Sequence, residues 1–122
     1  MAYVLMPSHL HTVIGVSDYP LIAKFMQSFK IVSSKSLKPH VGGDFRGRFD
    51  KNGRFNLWQP RYDELLIVSE RQFRRKVEYI HTNPVRAGLV GEPEDWPYSS
   101  AGEWSGKESG IISIDRDFSF QR

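Results

Sequence analysis

The sequence predicts an α+β domain in which short antiparallel strands carry amphipathic helices. Three observations predict it. Near the N-terminus, two short apolar stretches flank a Met6-Pro7-Ser8 turn signal, the pattern of a hairpin. Residues 18–37 and 69–83 then repeat apolar side chains at helical spacing. The chain has 122 residues and no cysteine, enough for one packed core but not for two, with no disulfide framework or thiolate zinc site.

Tyr3-Val4-Leu5-Met6 reads as a strand, and residues 9–16 as its antiparallel neighbour. Side chains alternate faces along a strand, so His9 and His11 point the same way and Leu10 the other. Two imidazoles one strand repeat apart can share a metal ion. Taken alone, the tripeptide fits a half-buried strand with two polar residues facing water equally well.

Ser17-Asp18-Tyr19-Pro20 is a helix-start signal, a capping side chain followed by an early proline. Leu21, Ile22, Phe25, Phe29 and Val32 form the apolar stripe of that helix, expected to pack on one side of the sheet and to fade before Pro39. Residues 39–53 hold four glycines and five charges, expected as a basic loop. Lys30, Lys35, Arg46, Arg48, Lys51 and Arg54, with Phe45 and Phe49 among them, suit nucleic acid, where guanidinium meets phosphate and rings stack on unpaired bases. A plain surface loop is the competing reading. Between positions 30 and 54 there are seven Lys/Arg against two Asp, whereas from 91 to 122 three basic residues face seven acidic ones. Such asymmetry suggests a polyanion-binding side and an acidic tail.

Residues 55–59 and 62–68 are expected to contain another strand, bent or at an edge because Pro60 interrupts it. Ser69 and Gln72 then fit a capping box. Phe73, Val77 and Ile80 form the buried face of the second helix, with Pro84 expected to end it and Gly88 to turn the chain. At about 100° per residue, Gln72, Lys76, Tyr79 and Asn83 share one strip beside that face. A tyrosine in such a place more often packs with its hydroxyl at the surface than reacts. Trp96-Pro97-Tyr98-Ser99-Ser100 is expected to fold back on the domain, and residues 110–114 to supply one more strand. No apolar run is long enough to span a bilayer and no signal-peptide pattern is present, which predicts a cytoplasmic protein without a membrane partner.

The motifs resemble a known family. Tyr3-Val4-Leu5-Met6-Pro7-Ser8-His9-Leu10-His11 resembles the Met-Pro-Asn-His-hydrophobic-His signature of single-tyrosine HUH transposases. Residues 79–90, Tyr-Ile-His-Thr-Asn-Pro-Val-Arg-Ala-Gly-Leu-Val, look like the tyrosine motif of their REP-associated branch, and Leu57-Trp58-Gln59 and residues 96–100 fit it too. The resemblance runs from residue 3 to about 101. It implies a ferredoxin-like antiparallel sheet with helices packed on one face over residues 1–101, followed by a polar acidic tail at 102–122. It also implies metal-dependent transposition chemistry on single-stranded or hairpin DNA. His9, His11 and Asn83 would hold Mg²⁺ or Mn²⁺, and Tyr79 would be the nucleophile that forms a 5′-phosphotyrosine. Lys76 is the cation we expect to assist it.

Two departures stand out. Ser8 occupies the usual Asn position of the turn. Family members also generally carry a strand and a helix before the histidine strand, where this chain starts almost at it. An open sheet edge covered by homodimerisation is the expectation that follows. The rival reading is a DNA-binding remnant that no longer cleaves.

Overall fold

The computed structural model describes residues 1–51, 54–107 and 111–114, without the side chains of 44–46, 50 and 51. The chain is α+β, as expected, and its contacts group into two compact units, residues 1–15 with 66–122, and residues 16–65.

In the first unit, β1 (Ala2–Leu5) pairs antiparallel with β2 (Leu10–Val13), in the register Val4 opposite His11 and Leu5 opposite Leu10. Met6 N–H donates to His9 O at 2.8 Å, closing the turn that Pro7 and Ser8 predict. Residues opposite one another in a ladder project from the same face. His11 therefore shares the face of Val4, and His9, two residues earlier, shares it too. That face is covered by the long helix α3 (Glu70–Arg86), which packs on both strands. Val4, Met6 and Ile80 form the core there, with Val13 and Trp96 packed against it.

Ser69 caps this helix by accepting from Gln72 N–H at 3.1 Å, while the Gln72 side chain reaches back to Val68 N–H at 2.9 Å. The capping box is thus present, with its return bond one residue further out. Pro84 does not end the helix, contrary to expectation. Its fixed φ suits a helix and it removes one backbone donor, and the last turn continues through Ala87 N–H to Asn83 O at 3.0 Å. Gly88, at φ 74°, then turns the chain.

The 96–104 segment folds back as expected and laces the unit together. Leu5 N–H donates to Tyr98 O, Ser100 N–H to Tyr3 O, and Trp96 Nε1–H to Leu5 O. These bonds run along β1, where a bridge also joins Val4 and Ser99. A short helix, α4 (Ala101–Trp104), follows, and Trp104 packs beside Phe73 and His81. Residues 111–114 form no strand, and Gly110 lies outside the described residues.

The second unit starts with α1 (Leu21–Leu37). Ser17 and Asp18 do not cap it with side chains. Pro20 holds the cap position, and backbone bonds from Leu21 to Asp18 and from Ile22 to Tyr19 lead the chain in. Its stripe does not become a core, because no residue of α1 is buried. Phe25 and Phe29 stack, and Phe29 meets Trp58 at 5.4 Å, whose indole donates to Ser33 Oγ at 2.8 Å. The expected loop is more ordered than its glycines suggest, with α2 (Gly43–Phe49) and a two-residue ladder of β3 (Asp50–Lys51) with β4 (Arg54–Phe55). Glycine disfavours helix by only about 1 kcal/mol per residue, which tertiary context overrides. The strand expected within 55–68 reduces to Phe55, the rest of that stretch being irregular.

Candidate active site

The site is assembled wholly within the first unit, where β2 meets α3. His9, just before β2, and His11 within it stand edge to face, with ring centroids 4.9 Å apart and planes at 84°. Ser8 Oγ lies 3.0 Å from His9 Nδ1, a contact that engages one ring nitrogen and leaves the other for a ligand. On the helix side, the Tyr79 ring packs edge-on to His11 at 6.2 Å. Tyr79 is half exposed, at 50%. The phenol is accessible.

Lys76 Nζ stands 5.6 Å from the centroid of the Tyr79 ring, and the Arg86 guanidinium lies 4.1 Å from it. Burial pushes the His11 imidazole below its ordinary pKa, with the charges of His9, Arg86 and Lys76 acting in the same direction. The neutral imidazole, the form that ligates a metal, is therefore favoured. Asn83 sits one turn beyond Tyr79 on the same strip and is half-buried. Gln72, the fourth member of the strip, is spent on the helix cap.

The candidate donors expected from the sequence are two imidazoles and one amide oxygen. No three His, Cys, Asp or Glu side chains gather as a metal site among the described residues. Two adjacent imidazoles, one of them with a lowered pKa, are donors suited to a divalent cation that accepts nitrogen as well as oxygen ligands.

Lys30, Lys35, Arg46, Arg48, Lys51 and Arg54 all belong to the second unit. Lys30 is engaged there, donating to Gln59 O at 2.8 Å and standing over the Tyr62 ring. Lys35, Arg48 and Arg54 are exposed, and the side chains of Arg46 and Lys51 lie outside the described residues.

Two residues of the first unit were not singled out from the sequence. Arg86 is one, because a helix taken to end at Pro84 leaves it outside. His81 is the other. It is buried on the opposite side of α3, with Nε2 2.7 Å from Ser100 Oγ, and that hydroxyl also accepts from Tyr3 N–H at 2.9 Å. Burial pushes the His81 pKa down to about 4, against a smaller opposing effect of Glu94. This residue locks strand, helix and C-terminal segment together, away from the candidate site.

A REP-associated tyrosine transposase of Escherichia coli (strain K12) is 44% identical over 45 residues, covering 37% of this chain and 27% of that protein. A protein of Haemophilus influenzae (strain ATCC 51907 / DSM 11121 / KW20 / Rd) bearing the same family name is 28% identical over 104 residues, covering 82% of this chain and 57% of that protein. The chain is similar to the REP-associated tyrosine transposases. The resemblance carried by residues 3–11 and 79–90 is thereby supported. The chain spans little more than half the length of the Haemophilus relative, and 27% of that of the Escherichia coli transposase. No family model and no solved structure matches it. No helix among the described residues is long and apolar enough to cross a membrane.

Proposed function

We propose that the protein cleaves and rejoins single-stranded DNA, at or near a hairpin, through a covalent tyrosine intermediate. The observation that carries this reading is the packing of His11, one of a pair of imidazoles, against the ring of an accessible tyrosine that two cations flank. The names of its relatives support the transposase class.

In this reading Tyr79 Oη attacks the scissile phosphorus. The new phosphorus–oxygen bond to tyrosine forms as the bond to the 3′ oxygen breaks, giving a 5′-phosphotyrosine and a free 3′-OH. One phosphodiester replaces another, so the step reverses and strands can be rejoined. His9, His11 and Asn83 would hold the cation. Bound Mg²⁺ or Mn²⁺ supplies charge neutralisation at the phosphate. A phenol is a weak nucleophile until its proton leaves, which positive charge nearby favours, and Lys76 provides one such charge. The helix and the strand give the rigid supports that such a site demands.

The test is a strand-cleavage assay with Mn²⁺ or Mg²⁺ on hairpin-bearing single-stranded DNA from beside the gene. A covalent protein–DNA band on a denaturing gel, dependent on metal and absent from Tyr79→Phe, is the expected result. DNA binding without any covalent band would instead make the chain a non-cleaving DNA-binding relative. The exposed cations of the second unit are the proposed contact with the DNA backbone. Neutralising Arg46 and Arg48 together should weaken single-strand binding and reduce its salt slope by roughly 0.7 for each phosphate no longer neutralised. An unchanged slope would remove that segment from the interface.

A further inference from the structure

The geometry points to Arg86 as the positioning residue for Tyr79: its guanidinium, tied down to the helix, lies on the phenol ring and fixes that ring beside His11. This inference rests on the reading of Tyr79 as the nucleophile.

Seven residues along a helix is two turns, so Arg86 returns to within about 20° of the Tyr79 direction. Its Nη2–H donates to Tyr79 O at 2.8 Å, and its Nη1–H donates to Thr82 Oγ1. Thr82 Oγ1 in turn donates to Glu78 O at 2.9 Å, so the hydroxyl passes the anchoring on to the helix backbone. The guanidinium is thereby held with its carbon 4.1 Å from the ring centroid, well inside the range of a cation–ring attraction.

The tyrosine needs such a hold. A half-exposed aromatic on a helix has little packing to select one rotamer, and a nucleophile displaced by about 1 Å loses much of its rate. His11 meets the ring edge-on and Lys76 stands at 5.6 Å, but only Arg86 combines close approach with a fixed, planar group. The guanidinium carries five N–H donors, and the two bonds use only part of that capacity. A competing role is compensation of the helix dipole, since Arg86 lies in the last turn. That role needs only positive charge. It makes no demand on the Tyr79 ring.

Two measurements separate these roles. In the metal-free, DNA-free protein, the Arg86 Nε–H resonance should show a ring-current displacement in wild type and in Tyr79→Phe, and lose it in Tyr79→Leu. An undisplaced signal in wild type would overturn the proposal. In the cleavage assay, Arg86→Ala and Arg86→Lys should both form the covalent adduct roughly 10-fold more slowly, the size of an ordinary cation–ring contact expressed as a rate. Affinity for the same hairpin oligonucleotide should stay within about threefold for Arg86→Lys, which keeps the charge. A wild-type rate in Arg86→Lys would show that charge alone matters, and would also overturn it. If wild type itself forms no adduct, the proposed function fails, and the resonance alone decides whether Arg86 holds the ring.

Discussion

The two long helices have the same length, 17 residues each, and opposite fates. Helix α1 (Leu21–Leu37) has the more apolar sequence, yet Phe25 and Val32 remain 43% and 61% exposed and none of its residues is buried. Helix α3 (Glu70–Arg86) is rich in charge, yet buries Val77, Ile80, His81 and Pro84. The difference lies in what each finds within its own unit. Helix α3 has a hairpin under it and the 96–104 segment beside it, whereas α1 has a largely irregular segment around Trp58. An apolar stripe states a need for a partner surface. It does not supply one.

The sharpest way to break this comparison is to delete apolar surface from each helix in turn. Ile80 sits in the core with Val4 and Met6, so Ile80→Ala should cost about 3 kcal/mol, with the cavity adding to the lost transfer energy. Phe25→Ala removes a larger side chain, but one that is 43% exposed, and should cost about 1–2 kcal/mol. Urea unfolding of the two variants measures both. Equal losses would mean that α1 is as well packed as α3, and the contrast between the helices would collapse.

How much of this was legible follows from how local each signal is. Alternation placed His9 and His11 on one face, and the spacing of Ser69 and Gln72 gave the cap, because both depend only on near neighbours. The strip of Lys76, Tyr79 and Asn83 follows from helical period alone. His81 was hidden because its burial depends on Ser100, 19 residues further on, and on the Tyr3 backbone 97 residues from that serine. Arg86 was hidden by a rule applied too strongly. Proline weakens a helix interior by removing one donor, but near the end, where few bonds remain to lose, the helix can run through it. The unburied stripe of α1 was the largest misreading of packing, since a periodic pattern carries no information about the surface it will meet.

His81 also sets the second-largest expected effect. Its folded pKa of about 4 lies below the ordinary value of 6.5, so between the two the unfolded chain binds the proton more readily. The stabilisation is fully present above pH ~6.5 and is lost as the pH falls toward ~4. With allowance for solvent screening, the loss should be no more than about 2 kcal/mol across that window. His81→Gln keeps a polar partner for Ser100 but cannot titrate, and should flatten the curve. In α1 His81 has no counterpart, as no residue of that helix is buried. A wild-type stability constant from pH 7 to 4.5 would contradict the burial argument.

The smallest effect probes where each helix begins. Both starts carry a serine followed by an acidic residue, Ser69-Glu70 and Ser17-Asp18, and the sequence predicts a side-chain cap at each. Ser69 adopts the extended cap conformation, at φ −144° and ψ 156°, and its oxygen satisfies the Gln72 N–H. Glu70 adds a negative charge in the first turn, where the helix dipole favours it. At the other start, the first turn holds no acidic residue, and Pro20 occupies the cap position in a helical conformation with no side-chain bond. Ser69→Ala should therefore cost about 1 kcal/mol, and Ser17→Ala should fall within about 0.5 kcal/mol of wild type. Amide exchange at Gln72 and Phe73 against Leu21 and Ile22 reads the two ends separately. Equal responses would mean that the motif acts through its composition, whereas a response confined to Ser69 would show that the conformation of the cap residue is what gives two similar starts their different effect.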